Sequence, residues 1–199
     1  MNFYISDTHF FHQNVIKFDS RPFSSIEEMN AVLIQRWNQI VTNNDHVYIL
    51  GDFIWLKPNT PEYKEIIKTL NGQKHLIRGN HDPKQVPASL KVLFASIDDY
   101  KEITDDENHI ILCHYPIPCY KAAYDKNTWM LYGHVHTTEE ATFIERWTKE
   151  LIERPHESGQ NLGHLINVGC MMPYMNYTPR SFIDLKNFWN DKYCRKEKE

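Results

Sequence analysis

Five short clusters of metal-ligand side chains punctuate this chain: Asp7-Thr8-His9, Gly51-Asp52, Gly79-Asn80-His81-Asp82, a lone His114 and Gly133-His134-Val135-His136. Asp7, His9, Asp52, Asn80, His114, His134 and His136 together offer hard oxygen and borderline nitrogen donors. That mixture suits two divalent transition ions sharing a bridging carboxylate, with manganese, iron, zinc and nickel all admissible. Asp52 is the natural bridge, since it stands between the early and late ligands and its two oxygens can each hold one ion. Asp7 and His9 would share a side in extended backbone and reach one ion together. His134 and His136 have the same spacing and can serve the two ions separately. Taken singly these signals are weak: Asp-x-His recurs by chance, Gly-Asp is usually a turn, and a lone histidine is more often structural. Gly-Asn-His-Asp together with Gly-His-x-His is far more specific.

Each cluster follows a short apolar run, at Asn2–Ser6, Val47–Leu50, His75–Arg78, Ile110–Cys113 and Trp129–Tyr132. Read as strands, these runs gather all the ligands at one edge, because open α/β sheets build their sites at the carboxyl ends of strands. Between the first two, Ser24 or Ser25 can cap a helix from about Ile26 to Val41, with Met29, Leu33, Trp37 and Ile40 forming one apolar stripe. Thr60-Pro61 opens a second helix as cap and first-turn proline, and Gly72 closes it. The resulting β-α-β-α-β order predicts parallel strands with right-handed crossovers. Further on, Leu90–Ala95 reads as a short helix, Asp98–Ile103 as a strand and Glu139–Arg154 as a helix. Leu165–Val168 and Ser181–Leu185 read as final strands before a charged tail.

The 199 residues are expected to form a single domain, residues 1–199, large enough for a substantial core. A formal charge of −4 creates no basic field, so bulk nucleic-acid binding is not implied. A small phosphoester or nucleotide stays possible, because a metal pair brings its own positive charge. The four cysteines Cys113, Cys119, Cys170 and Cys194 show no paired spacing and read as reduced thiols, which points to the cytoplasm. A cleaved leader would remove the first strand and Asp7, and no apolar run approaches the ~20 residues of a membrane span.

The ordered set Asp-x-His, Gly-Asp, Gly-Asn-His-Asp, His and Gly-His-x-His resembles the calcineurin-like metallophosphoesterase superfamily, over residues 2 to about 136. Asn167-Val168-Gly169 resembles the strand that such proteins add after the last histidine pair. The stretch Asp7–Phe23 is similar to small bacterial and phage members. The resemblance implies an α/β fold, a four-layer α/β/β/α sandwich with two mixed β-sheets. It also implies roles. Asp7, His9 and His136 would hold the first ion and Asp52 would bridge. Asn80, His114 and His134 would hold the second, and His81 would face the substrate. Gly51-Asp52 runs into Phe53-Ile54-Trp55 rather than Val-Asp-Arg-Gly, which argues against a phosphoprotein phosphatase. Thr137–Gly163 carries no motif.

The implied chemistry is in-line attack on phosphorus by a hydroxide bridging the metals, with His81 protonating the leaving oxygen or stabilising phosphoryl charge. Asp82 could orient a ligand or simply cap a turn. His12, Asn14 and Arg21 are candidate phosphate or sugar contacts. Phe10, Phe11, Trp55, Tyr115 and Tyr120 flank the motif loops, where aromatics either stack a base or pack the loops. A phosphodiester is favoured over a monoester. The alternatives are a phosphomonoesterase of the same fold, a catalytically silent metal-binding scaffold and a regulatory nucleotide-binding module.

Overall fold

The computed structural model describes residues 1–154 and 157–194. Five strands form one mixed sheet: β1 (Asn2–Ile5), β2 (His46–Ile49), β3 (Gln73–Ile77), β4 (Ser96–Asp98) and β9 (Arg180–Ser181). Their order is β4-β3-β2-β1-β9, parallel except where β9 runs against β1. A second mixed sheet has the order β5-β6-β7-β8, from Tyr100–Asp105, Asn108–Cys113, Thr128–Tyr132 and Leu165–Asn167. There β5 and β6 are an antiparallel pair, and β6, β7 and β8 are parallel. The helices are α1 (Val15–Phe18), α2 (Ile26–Ile40), α3 (Pro61–Thr69), α4 (Ala88–Lys91), α5 (Glu139–Glu153) and α6 (Phe182–Tyr193). None is long and apolar enough to cross a membrane.

The pleat of β6 divides the core. Ile110 and Leu112 join the large cluster that also holds Ile5, Ile49 and Leu76 of the first sheet. Ile111 and Cys113, on the opposite face, join a smaller cluster with Ile144 of α5. Strands β6, β7 and β8 are thus packed on both faces, which explains why they are apolar without alternation, whereas the edge strand β5 alternates exposed and half-buried residues. On the other flank, α2 starts where Ser25 Oγ accepts the Glu28 N–H and buries Met29, Leu33 and Trp37. Ile40, expected on the same stripe, is 39% exposed at the helix end.

Several sequence expectations shift for identifiable reasons. Thr60 does not cap α3; its hydroxyl donates to the Lys57 carbonyl, and Pro61 alone sets the first turn. The short helix lies at Ala88–Lys91 rather than Leu90–Ala95. The strand expected at Asp98–Ile103 breaks at Asp99, where the chain passes from β3's edge to β6's edge. Asp99 there grips Arg78 through both carboxylate oxygens, at 2.7 and 2.8 Å. The strand expected at Ser181–Leu185 keeps only Ser181. Ser181 Oγ takes the Asp184 N–H, and Phe182, Leu185 and Trp189 then bury at helical spacing. Of the charged tail, residues 195–199 lie outside the described residues.

Candidate metal centre

The loops leaving β1, β2, β3, β6 and β7 meet at one edge. Those after β1 and β2 are zipped together: Asp7, His9 and Phe10 donate their N–H groups to the carbonyls of Gly51, Asp52 and Phe53, each at 3.0 Å. The backbone there is not extended, as the Asp-x-His spacing suggested. Asp7, His9, Asp52, His134 and His136 all have positive φ, from +46° to +70°. Such a backbone is uncommon and strained for side chains of this size, and persists only where surrounding contacts enforce it. Glycines make the close approach possible. A Cβ on Gly51 would stand 2.5 Å from His114 Nδ1 and 2.6 Å from Gly79 Cα.

Asp7, His9, Asp52 and His136 each bring a ligand atom within 4.8 Å of the others. Asp52 Oδ2 faces three imidazoles, at 3.7 Å from His9 Nε2, 3.6 Å from His114 Nε2 and 3.9 Å from His81 Nε2. His136 Nε2 is 3.4 Å from Asp7 Oδ1. Most of these separations are too long for good hydrogen bonds. They match ligands around an ion, since two atoms each ~2.1 Å from a tetrahedral centre are ~3.4 Å apart. His9 Nε2 is buried with no hydrogen-bond partner, which is the state expected of a ligand nitrogen. Asn80 Oδ1 is 3.0 Å from His114 Nε2, so those two donors also converge. The His134 ring lies 5.0 Å from that of His114, and its backbone N–H is held by Asp7. The donor set fits divalent ions.

The surroundings aim these donors. His114 Nδ1 faces the Leu50 carbonyl at 2.7 Å, which leaves Nε2 free to point inward. His136 Nδ1 is 2.7 Å from Asp19 Oδ1, and Asp19 is held in turn by Arg21. Asp19 was invisible to the spacing argument, because no ligand pattern includes it. Asp82 accepts the N–H groups of Gly79, Asp52 and Phe53, at 2.8, 2.8 and 3.1 Å. Its carboxylate braces the Asp52 loop through backbone N–H groups. Burial still pushes Asp82 up to about 6, against those hydrogen bonds.

Burial and charge oppose one another throughout. Burial would raise Asp7, but the His136 hydrogen bond and the neighbouring imidazoles hold it at about 2. Burial lowers His9 to about 3, against the attraction of Asp7. Burial alone would depress His136, yet its hydrogen bonds to Asp19 and Asp7 lift it to about 10. Burial raises Asp52, with the charge of His114 opposing.

The three residues expected to contact substrate are placed in different ways. Arg21 is buried, and its guanidinium engages Asp19, the Asp7 and Thr8 carbonyls and Met29 Sδ. No donor is left for a phosphate, so Arg21 is a strut under the Asp7 loop. Asn14 is exposed at the start of α1, and its side chain makes no cap. His12 is buried beneath Trp55, the rings 3.8 Å apart and 5° from parallel. Of the flanking aromatics, Phe10 and Tyr120 are core, whereas Trp55 and Tyr115 are 40% and 45% exposed.

Comparison with known proteins places this arrangement. Residues 1–186 match the calcineurin-like phosphoesterase superfamily domain. The chain belongs to that superfamily. It is 38% identical over 149 residues to the uncharacterized protein MJ1445 of Methanocaldococcus jannaschii, covering 74% of this chain and 77% of that one. Among solved structures it resembles AQ665 of Aquifex aeolicus, a protein of unknown function, with a TM-score of 0.65 at 27% identity. That likeness covers 94% of this chain and 98% of the other. As a phosphoesterase-superfamily chain, it carries in Asp7, His9, Asp52 and His136 a candidate metal cluster at the edge where its parallel strands end.

Proposed function

We propose that this protein is a two-metal phosphodiesterase. The observation that carries the reading is Asp52 Oδ2, which faces His9 Nε2 at 3.7 Å and His114 Nε2 at 3.6 Å. Its partner oxygen, Oδ1, is held by the His81 N–H. Asp7, His9 and His136 would then hold one ion, Asn80, His114 and His134 the other, and Asp52 would serve both. Bound there, two divalent ions of the manganese, iron, zinc or nickel class would neutralise phosphate charge and acidify a shared water.

The chain's own groups supply the rest. Asp19 and the Leu50 carbonyl fix two histidine tautomers, so those ligands need no reorganisation. The His81 side chain is 43% exposed on the lip of the centre, where it can carry a proton to a leaving oxygen. Preference for a diester rests on space. One cleft of about 520 Å³ opens beside His81 and Trp55, and another of about 510 Å³ beside Asn80 and Tyr115. A diester has two organic arms and a monoester one.

The test is reconstitution of metal-free protein with manganese and comparison of bis-p-nitrophenyl phosphate with p-nitrophenyl phosphate. Faster diester turnover with close to two metal equivalents by elemental analysis is expected. Faster monoester turnover would replace the diesterase reading. Metal binding without turnover of either would favour the silent scaffold.

A further inference from the structure

We propose that the Trp55 cleft is a stacking site for a nucleobase, so that one arm of the ester is a nucleoside. This rests on the phosphodiesterase reading and names its substrate class. The indole is 40% exposed beside a polar centre, so an occupant stacked on it would remove apolar surface from water. The ring is also held in place. The backbone N–H of Trp55 donates to the Phe10 carbonyl at 2.8 Å, which anchors the loop, and the indole itself lies flat on His12 at 3.8 Å. His12 is buried, with Nδ1 3.3 Å from His9 Nδ1. The platform is therefore fixed to a ligand of the centre, and stacking on it orders no side chain.

Position selects the occupant. The Trp55 ring centroid is 4.6 Å from that of His81 and 6.0 Å from that of His9. His81 links the two, since its ring borders Trp55 and its Nε2 is 3.9 Å from Asp52 Oδ2, so a ring against this wall and a phosphate at the centre would flank the same imidazole. The cleft of about 520 Å³ is bounded by Trp55, Pro58 and His81, with exposed Lys57 able to meet a further anionic group. Stacking is tolerant of base identity, because every base has a π-face. The site should therefore discriminate base from no base more strongly than one base from another.

The probes are AMP and the base-less ribose 5-phosphate, titrated by calorimetry into the full metal-loaded chain. AMP should bind about 10- to 100-fold tighter. Trp55→Ala should abolish that difference while metal content and ribose 5-phosphate affinity stay as in wild type, and Trp55→Phe should restore much of it. Equal affinities in the wild type, or a preference that survives Trp55→Ala, would overturn the proposal. So would loss of the preference in Tyr115→Ala instead, which would put the base in the opposite cleft. Turnover of bis-p-nitrophenyl phosphate is scored separately. Turnover without an AMP preference sinks the stacking site alone, and a Trp55-dependent AMP preference without turnover sinks the phosphodiesterase reading alone.

Discussion

Asp19 holds His136 from the far side, and Arg21 holds Asp19. An outer carboxylate of this kind sets the tautomer and basicity of a ligand histidine, and its loss typically costs 10–100-fold in metal affinity. Asp19→Asn should show a loss on the order of 10- to 100-fold in competition with a chelating dye. Wild-type affinity would mean that His136 needs no such support. The same contacts lift His136 to about 10, against burial. In the metal-free protein this ion pair stabilises the fold fully below the ordinary histidine pKa, and the contribution is lost as pH rises through about 10. An ion bound to His136 must therefore displace a proton at pH 8. Calorimetric titration in two buffers of different ionisation enthalpy should report release of about one proton from this group. Identical heats in both buffers would remove His136 from the ligands. His81→Ala should keep both metals and lose ~10²–10⁴-fold in turnover of a nucleoside diester. The loss should be smaller on a nitrophenyl ester, whose leaving group hardly needs a proton. Equal losses on both would favour charge stabilisation by His81 instead.

The loops of two parallel strands are joined by backbone hydrogen bonds just past the sheet, so β1 and β2 present their ligands as one unit. Gly51 and Gly79 let that unit approach the β3 and β6 loops. At the other end of the chain, α6 depends on a local signal. Ser181 Oγ accepts the Asp184 N–H at 3.3 Å and donates to its carboxylate at 2.6 Å. Removing a serine cap costs about 1 kcal/mol. Ser181→Ala should lower the unfolding free energy measured by denaturant titration by about that amount while metal stoichiometry holds. A parallel loss of metal would show that α6 and β9 reach the centre through β1.

Across the whole molecule, the candidate ligands come from both sheets: Asp7, Asp52 and Asn80 follow strands of the first, His114 and His134 strands of the second. Ions bound among them would tie the two layers together and offset the strain of five left-handed ligand residues. A ligand at 100 times its dissociation constant stabilises a fold by ~2.7 kcal/mol. For a chain of this length each kcal/mol is worth about 2–4 °C. Manganese at that excess should therefore raise Tm by about 5–10 °C over protein held in chelator. Asp52→Asn should blunt the rise, and an undiminished rise in that variant would show that the ions bind outside this centre.

The strands that carry the candidate ligands, and the order of those residues, were legible in the chain, because apolar runs and ligand-type motifs are local patterns. The parallel ladder followed from the same reading. What stayed hidden depends on residues distant in sequence. The Asp19–His136 pair spans 117 positions, so no motif could include it. Arg21 looked available for phosphate because nothing nearby revealed that the Asp7 and Thr8 carbonyls would claim it. The break at Asp99 was decided by which sheet edge each segment could pair with. Backbone handedness at Asp7, His9, Asp52, His134 and His136 is likewise a tertiary result: Asp and His tolerate positive φ better than most side chains, but the contacts of the assembled loops decide which of them adopt it.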